Sequence, residues 1–273
     1  MSEDNKEPQA EPKGAIARFL ALPTDSVPKT VFVATALCLV ASMIVSAAAV
    51  ALRPLQEVNA LQDKQINILQ VAGIYDEGAD VLESFAAFEP QVLELSTGTF
   101  TDEFDPATFD DRDAANDPET SVALDSDPAG IVRQGQYVTV YLLRDDAGEL
   151  DKLILPIHGY GLWSTLYGFI ALEENGNDIF GLQFYDHAET PGLGAEVDNP
   201  RWKAMWNGQR LVDEDGVLQI SVSKAVPAAG EDYHIDALAG ATLTTNGVNN
   251  LVRFWMGEAG FGPFLQNLKA GDI

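Results

Sequence analysis

The chain of 273 residues carries 42 acidic against 16 basic side chains, a formal net charge of -26. Such a coat repels phosphate backbones, so no nucleic-acid partner is expected, and it suits a soluble head in a salty or crowded medium. The length fits one sizeable domain with additions or two small ones, and the absence of any fixed period sets aside a solenoid or propeller.

One stretch near the start overrides a fully soluble reading. From 31 to 52, "VFVATALCLVASMIVSAAAVAL" runs 22 residues without a charge. At about 1.5 Å of rise per residue it crosses the roughly 30 Å hydrocarbon core. A cleavable signal has an apolar run of only about 7–15 residues and a shorter polar lead. A lipoprotein anchor needs a small residue before its cysteine, whereas Leu37 precedes Cys38, the only cysteine, which also leaves no intrachain disulfide. No polar stripe marks the run as a soluble core helix. The expected organisation is a tail at 1–29, a retained transmembrane helix at 30–52 and a body at 53–273. Lys13, Arg18 and Lys29 before the span against Arg53 and Lys64 after it favour a cytoplasmic tail and an exported body.

After the span, Leu55, Val58, Leu61, Ile66, Ile68, Leu69 and Val71 recur at helical spacing, which predicts a helix ending near Gly73. A second helix is expected over "ADVLESFAAF", then one strand over "QVLELSTGTF". From 101 to 130 the chain is acidic and expected to be irregular: Asp102, Glu103, Asp105, Asp110, Asp111, Asp113, Asp117, Glu119, Asp125 and Asp127 face only Arg112. The spacing lacks the pattern of a calcium-binding loop, so a solvated insertion or partner surface is favoured over a metal site. Strands are expected at "QYVTVYLL", "KLILPIHG", "STLYGFIAL", "IFGLQFYD" and "LQISVSKAV". Asn199 and Pro200 read as the cap and first turn of a short helix, and the chain closes in one or two helices from "TTNGVNN" onward. That order predicts an α+β fold, a mostly antiparallel sheet with flanking helices.

His158, His187 and His234 lie apart, with no i, i+4 pair for a zinc helix, and no G-x-S-x-G elbow is present. Glycine-bearing loops are more informative. "HAETPGLGAE", 187–196, permits a backbone path close to a flat ligand; "GYGLWSTLYG", 159–168, sets Trp163 and Tyr167 beside Ser164 and Thr165, a combination that either brackets a heteroaromatic ring or supplies turn glycines and core aromatics. It lies between two strands, not before a helix, which argues against a dinucleotide loop. The third stretch is "DALAGATLTTNG", 236–247. Here the chain enters a helix whose free amides make an anion site; Thr244 or Thr245 is expected to cap it, and Thr242 lies beside the entrance.

"DALAGATLTT" resembles the flavinylation motif Asp-x-x-(Ser/Thr)-Gly-Ala-Thr, beginning at Asp236, with Ala239 where Ser or Thr is usual. With "LQDKQINILQVAG", "HGYGLWSTLYGF", "ETPGLGAE" and "NNLVRFWMGEAGFGPFL" in this order behind a span, the chain resembles the C subunit of the Na⁺-translocating NADH:quinone reductase. The likeness runs from about residue 31 onward, outside the acidic insertion. It implies an FMN linked through its phosphate to Thr242 by a separate FAD-dependent transferase. It also implies a single-pass member of a respiratory complex of six subunits in the bacterial inner membrane, with a periplasmic head. Electrons would pass between an iron–sulfur centre in membrane subunits and a second covalent flavin in the B subunit, on the way from NADH to ubiquinone, coupled to Na⁺ export. On that likeness Gly240 and Ala241 allow close approach and Leu243 and Thr244 contact the phosphate. Ser164, Thr165, Glu189, Thr190, Gly192 and Leu193 line the ring. The alternatives are the G subunit of an Rnf-type ferredoxin:NAD⁺ oxidoreductase, which shares the threonine-linked FMN, and a membrane-anchored binding module without a redox role.

Overall fold

The computed structural model describes residues 14–272; the beginning of the tail, Lys13 included, lies outside the described residues. Contacts divide the chain into two units, Met1–Ala60 and Leu61–Ile273. The first holds α1 (Ala15–Leu20) and most of α2 (Val27–Val71). The expected span and the helix after it are one uninterrupted helix of 45 residues, with Pro54 inside it. Val31, Phe32, Leu37, Leu39, Met43 and Ile44 are all more than half exposed, so the apolar run is largely uncovered by protein. The helix is long and apolar enough to cross a membrane. The short α1 was not expected; Lys29 Nζ donates to the carbonyls of Leu20 (3.2 Å) and Leu22 (3.0 Å), and Phe19 meets Phe32 edge to face.

In the second unit, α3 (Val81–Phe85) is shorter than expected and is capped by Asp80, which accepts from the amides of Leu82 and Glu83. "QVLELSTGTF" is a hairpin, not one strand: β1 (Phe88–Glu94) returns as β2 (Thr99–Phe100) through Gly98, which has φ +66°. The acidic 101–130 stretch also departs from expectation. It contains α4 (Asp111–Asn116) and β3 (Ser121–Ala123), the latter paired with β4 (Arg133–Gly135). Asp111 turns inward, accepting the Thr139 amide at 2.7 Å and facing Lys64 Nζ at 3.5 Å. Arg112 lies over the Tyr167 ring, 3.6 Å from its centroid, and pairs with Asp186 at 3.0 Å. A charge count cannot show which members of an acidic run face the sheet.

The expected long strands form: β5 (Tyr137–Arg144), β6 (Leu150–Tyr160), β7 (Thr165–Glu173) and β8 (Ile179–Asp186). They join β1 and β2 in an antiparallel six-stranded sheet of order β2-β1-β5-β6-β7-β8. Both faces are covered, and successive side chains sort between them. Leu153, Leu155 and Ile157 of β6 and Ile170 and Leu172 of β7 belong to the larger core with the C-terminal helices. Ile154, Phe169 and Ala171 belong to the smaller core on the other face, with Ile68, Leu69 and Val71 from the end of α2.

α5 (Pro200–Lys203) starts as expected, the Asn199 side chain accepting the Arg201 amide at 2.9 Å. Of "LQISVSKAV" only β9 (Ser221–Ser223) is strand, paired in parallel with β10 (His234–Asp236). Then come α6 (Thr242–Met256) and α7 (Gly262–Ala270). α6 lays Val248, Leu251, Val252 and Trp255 on the sheet, an i, i+3, i+4, i+7 pattern that keeps one helical face inward.

The Trp255 indole donates to the His158 carbonyl at 2.7 Å, and the His158 ring stacks on Tyr167. Burial, with a smaller contribution from the Arg112 charge, lowers the His158 pKa from 6.5 to about 4. The unfolded chain takes up this proton as the pH falls through about 6.5 and the folded chain only near 4, so protonation favours unfolding within that window, by up to about 3 kcal/mol. Thermal melting at pH 7 and pH 5 checks this: His158→Phe, which keeps a stacking ring, should lose part of the acid destabilisation of the wild type. Parallel pH profiles for the two proteins would contradict it.

Candidate functional site

β10 delivers the chain to a tight turn in which the Ala241 amide donates to the Leu238 carbonyl at 3.2 Å. Gly240 takes φ +74° there, a conformation in which a side chain is strained. The turn aims the first residue of α6, Thr242, outward; Thr242 is exposed, and the three residues directly before it, Ala239, Gly240 and Ala241, are small. Asp236 is also exposed, and its carbonyl accepts the Trp202 indole N–H at 2.9 Å, which fixes the entry to the turn.

The expected capping role of Thr244 or Thr245 does not hold. Ala241 occupies the N-cap position and no side chain caps the helix. Thr245 is buried, donating its hydroxyl to the Ala241 carbonyl (2.9 Å) and accepting the Leu238 amide (3.1 Å), so it braces the turn from within. Thr244 is fully buried and donates to Glu189 Oε2 at 2.7 Å. Among the described residues, the amides of Thr242, Leu243 and Thr244 therefore donate to no protein acceptor. Those of Thr242 and Leu243 lie on exposed residues, and free amides at the positive end of a helix dipole suit an anion.

Glu189, expected to line the ring, is a buried carboxylate, 4% exposed. Its Oε1 accepts the amides of Leu162 (2.8 Å) and Trp163 (2.9 Å), which lie in the β6–β7 turn. Burial raises its pKa, but the amides and the Thr244 hydroxyl outweigh burial and hold it below the usual carboxylate range. Two glycines make room for this carboxylate. A Cβ on Gly161 would meet Oε1 at 2.6 Å; one on Gly194 would meet Oε2 at 2.5 Å and the Thr244 hydroxyl oxygen at 2.6 Å. A third, Gly247, lets α6 cross the end of β6, since a Cβ there would lie 2.5 Å from the Tyr160 carbonyl oxygen. The sequence flagged the glycine-bearing loops without these roles, because nothing local shows which distant side chain a glycine accommodates.

The remaining expected residues divide. Ser164 and Thr165 are half-buried, and the Ser164 hydroxyl accepts the Ala188 amide at 2.7 Å, joining the two loops. Thr190 is exposed and its carbonyl accepts from Leu193 and Ala195; Gly192 has φ +74° with open space around it. Leu193 reaches Gly240, its Cδ2 lying 3.1 Å from where a Cβ would be. Of the two aromatics in "GYGLWSTLYG", Tyr167 is covered by Arg112, whereas Trp163 is 65% exposed. Leu193 (44%) and Leu243 (59%) give the Thr242 neighbourhood apolar surface, which water covers poorly and a flat heteroaromatic ring covers well, and the turn that carries Trp163 is bonded to the same carboxylate as Thr244. An uncapped helix start, an exposed hydroxyl on its first residue and an apolar rim fit a group with a phosphate and a flat ring, such as FMN.

A family model described as an FMN-binding domain matches residues 161–257, which include the β6–β7 turn, the Glu189 loop and α6. The C subunit of the Na(+)-translocating NADH-quinone reductase of Pseudomonas aeruginosa is 48% identical over 257 residues, covering 91% of this chain and 98% of that protein. The chain belongs to this NqrC family. The Yersinia pestis relative of the same name is 46% identical over 91% of this chain and 96% of its own length. The crystal structure of Shewanella oneidensis NqrC, 35% identical, superposes with a TM-score of 0.71 over 77% of this chain and 98% of that one. The α+β expectation and the family likeness both hold.

Gly161→Ala and Gly194→Ala should each destabilise the head by about 1–3 kcal/mol in denaturant unfolding, because the Glu189 carboxylate cannot shift without releasing its donors. An unchanged midpoint in both would show that the carboxylate is not confined as described.

Proposed function

We propose that the chain is the electron-carrying member, NqrC, of a Na⁺-translocating NADH:quinone reductase and holds FMN through a phosphoester on Thr242. The observation that carries the attachment site is the exposed Thr242 hydroxyl beside three uncapped amides at the start of α6. When bound, FMN supplies the electron chemistry. The amides of Thr242 and Leu243 would hold the phosphate, and Trp163, Leu193 and Leu243 would shield one side of the ring from water. In maturation by an FAD-dependent transferase, Thr242 Oγ1 forms the new P–O bond to the FMN phosphorus of FAD. The pyrophosphate bond breaks, AMP leaves and the hydroxyl proton is released. Thr242 suits that step because its hydroxyl is exposed and its neighbours are small.

The matched relatives carry the quinone-reductase name, which speaks against the ferredoxin:NAD⁺ reading and the non-redox module. We further infer that α2 anchors the chain in the bacterial inner membrane, with the Leu61–Ile273 unit in the periplasm. The membrane subunits that hold the iron–sulfur centre and the second covalent flavin are its neighbours among the six. The support is the uncharged, largely exposed 31–52 run of α2 and the excess of basic residues before that run.

Peptide mass spectrometry of protein from a host with the transferase tests the attachment. The peptide containing Thr242 should gain the mass of FMN less one water, and Thr242→Ala should lose both this mass and the flavin fluorescence of the denatured band. Full flavin retention in Thr242→Ala would rule the site out. An alkaline phosphatase fusion at the C-terminus should be active in the periplasm, and an inactive, cytoplasmic reporter would reverse the topology.

A further inference from the structure

We propose that Glu189 is a positioning residue that locks the ring side and the phosphate side of the flavin site into one unit, acting through Thr244 and the β6–β7 turn. The inference rests on the reading that Thr242 carries the FMN phosphate. Glu189 touches neither the Thr242 hydroxyl nor the free amides. It is joined instead to what carries each part of the site.

One oxygen, Oε1, accepts both the Leu162 and Trp163 amides, which sets the direction in which the exposed Trp163 side chain leaves the turn. The other, Oε2, accepts the hydroxyl of Thr244, two residues after Thr242 on α6. The carboxylate's own backbone starts the loop that carries Leu193 to Gly240. Three segments distant in sequence, 161–164, 189–194 and 240–244, thus meet on one buried group. Hydrogen bonds to a charged acceptor are roughly twice as strong as neutral ones, and three donors on a single carboxylate satisfy most of its lone pairs. Gly161 and Gly194 lie against the two oxygens, so the group has little room to change its partners.

The same arrangement explains why the helix start stays free. A threonine at the third helical position can turn its hydroxyl toward the first turn, but here the hydroxyl is drawn inward to Glu189. The amides of Thr242 and Leu243, both on exposed residues, are then available to an outside anion. Glu189 therefore acts twice: it aligns Trp163 with α6, and it keeps Thr244 from altering the phosphate end.

The test uses the full-length chain matured with its flavin, in the wild type and in Thr244→Val, Thr244→Ser and Glu189→Ala. The readouts are covalent FMN per chain by mass, thermal melting, visible circular dichroism of the flavin, and quenching of its fluorescence by iodide. Thr244→Val keeps the buried volume and removes the hydroxyl. It should melt cooperatively yet shift the flavin dichroism, with quenching raised by about tenfold, the change in equilibrium expected on losing a charge-assisted hydrogen bond. Thr244→Ser should reproduce the wild type, and Glu189→Ala, which strands all three donors, should exceed Thr244→Val. A folded Thr244→Val without flavin beside a loaded Thr244→Ser supports the proposal equally, since the link to α6 is then what maturation requires. A folded, loaded Thr244→Val with wild-type dichroism and quenching overturns it, whatever Glu189→Ala does, because a purely structural carboxylate affects melting alone. FMN found on a wild-type peptide other than the one with Thr242 would instead remove the reading on which the proposal rests.

Discussion

α6 begins without a side-chain cap, and the organisation of the site follows from that. A helix start leaves donors that must find an acceptor, and an apolar or small residue at the N-cap position, as Ala241 is here, costs about 1 kcal/mol relative to Ser, Thr or Asp. Two threonines stand within reach of these donors, yet both hydroxyls turn inward, Thr245 to the turn and Thr244 to Glu189. The start of the helix is less stable by itself than the sequence could have made it. On the proposed attachment a phosphate at Thr242 would remove that deficit, which would couple stability to ligand binding at the start of the helix.

Holding such a helix end in place requires a rigid platform, and the sheet supplies it. With both faces of β6 and β7 buried, the strands cannot tilt without opening one of two cores. α6 approaches that platform closely because Gly159 and Gly247 remove side chains at the crossing: a Cβ on Gly159 would meet Leu251 Cβ, and one on Gly247 the Tyr160 carbonyl, each at 2.5 Å. The close crossing sets the depth of α6, the turn at Gly240 sets where it starts, and the exposed Thr242 results from both.

Much of this was legible in the sequence. Periodicity gave the long strands and the end of α2, and cap chemistry gave the start of α5 at Asn199 and Pro200. The small residues before Thr242 marked it as accessible. What stayed hidden were the pairings between distant residues. "TLTT" reads as a capped helix until Glu189, 55 residues earlier, claims the Thr244 hydroxyl. In the acidic stretch, Asp111 and Arg112 look like their solvated neighbours until Lys64, Thr139 and Tyr167 are placed beside them. Local propensity cannot distinguish an inward carboxylate from an outward one when both sit in polar sequence.

On the proposal that FMN is linked to Thr242, the first turn of α6 is open to solvent in the flavin-free chain and closed by the phosphate in the loaded one. Site-resolved amide hydrogen exchange by NMR, on the flavin-free and flavin-loaded chain, reads that closure at each amide. Thr242 and Leu243 should exchange fast in the flavin-free protein and become markedly protected after loading. Thr245, already donating to the Ala241 carbonyl, should change little. Protection at these two amides before loading, or none after it, would contradict a phosphate-closed helix start.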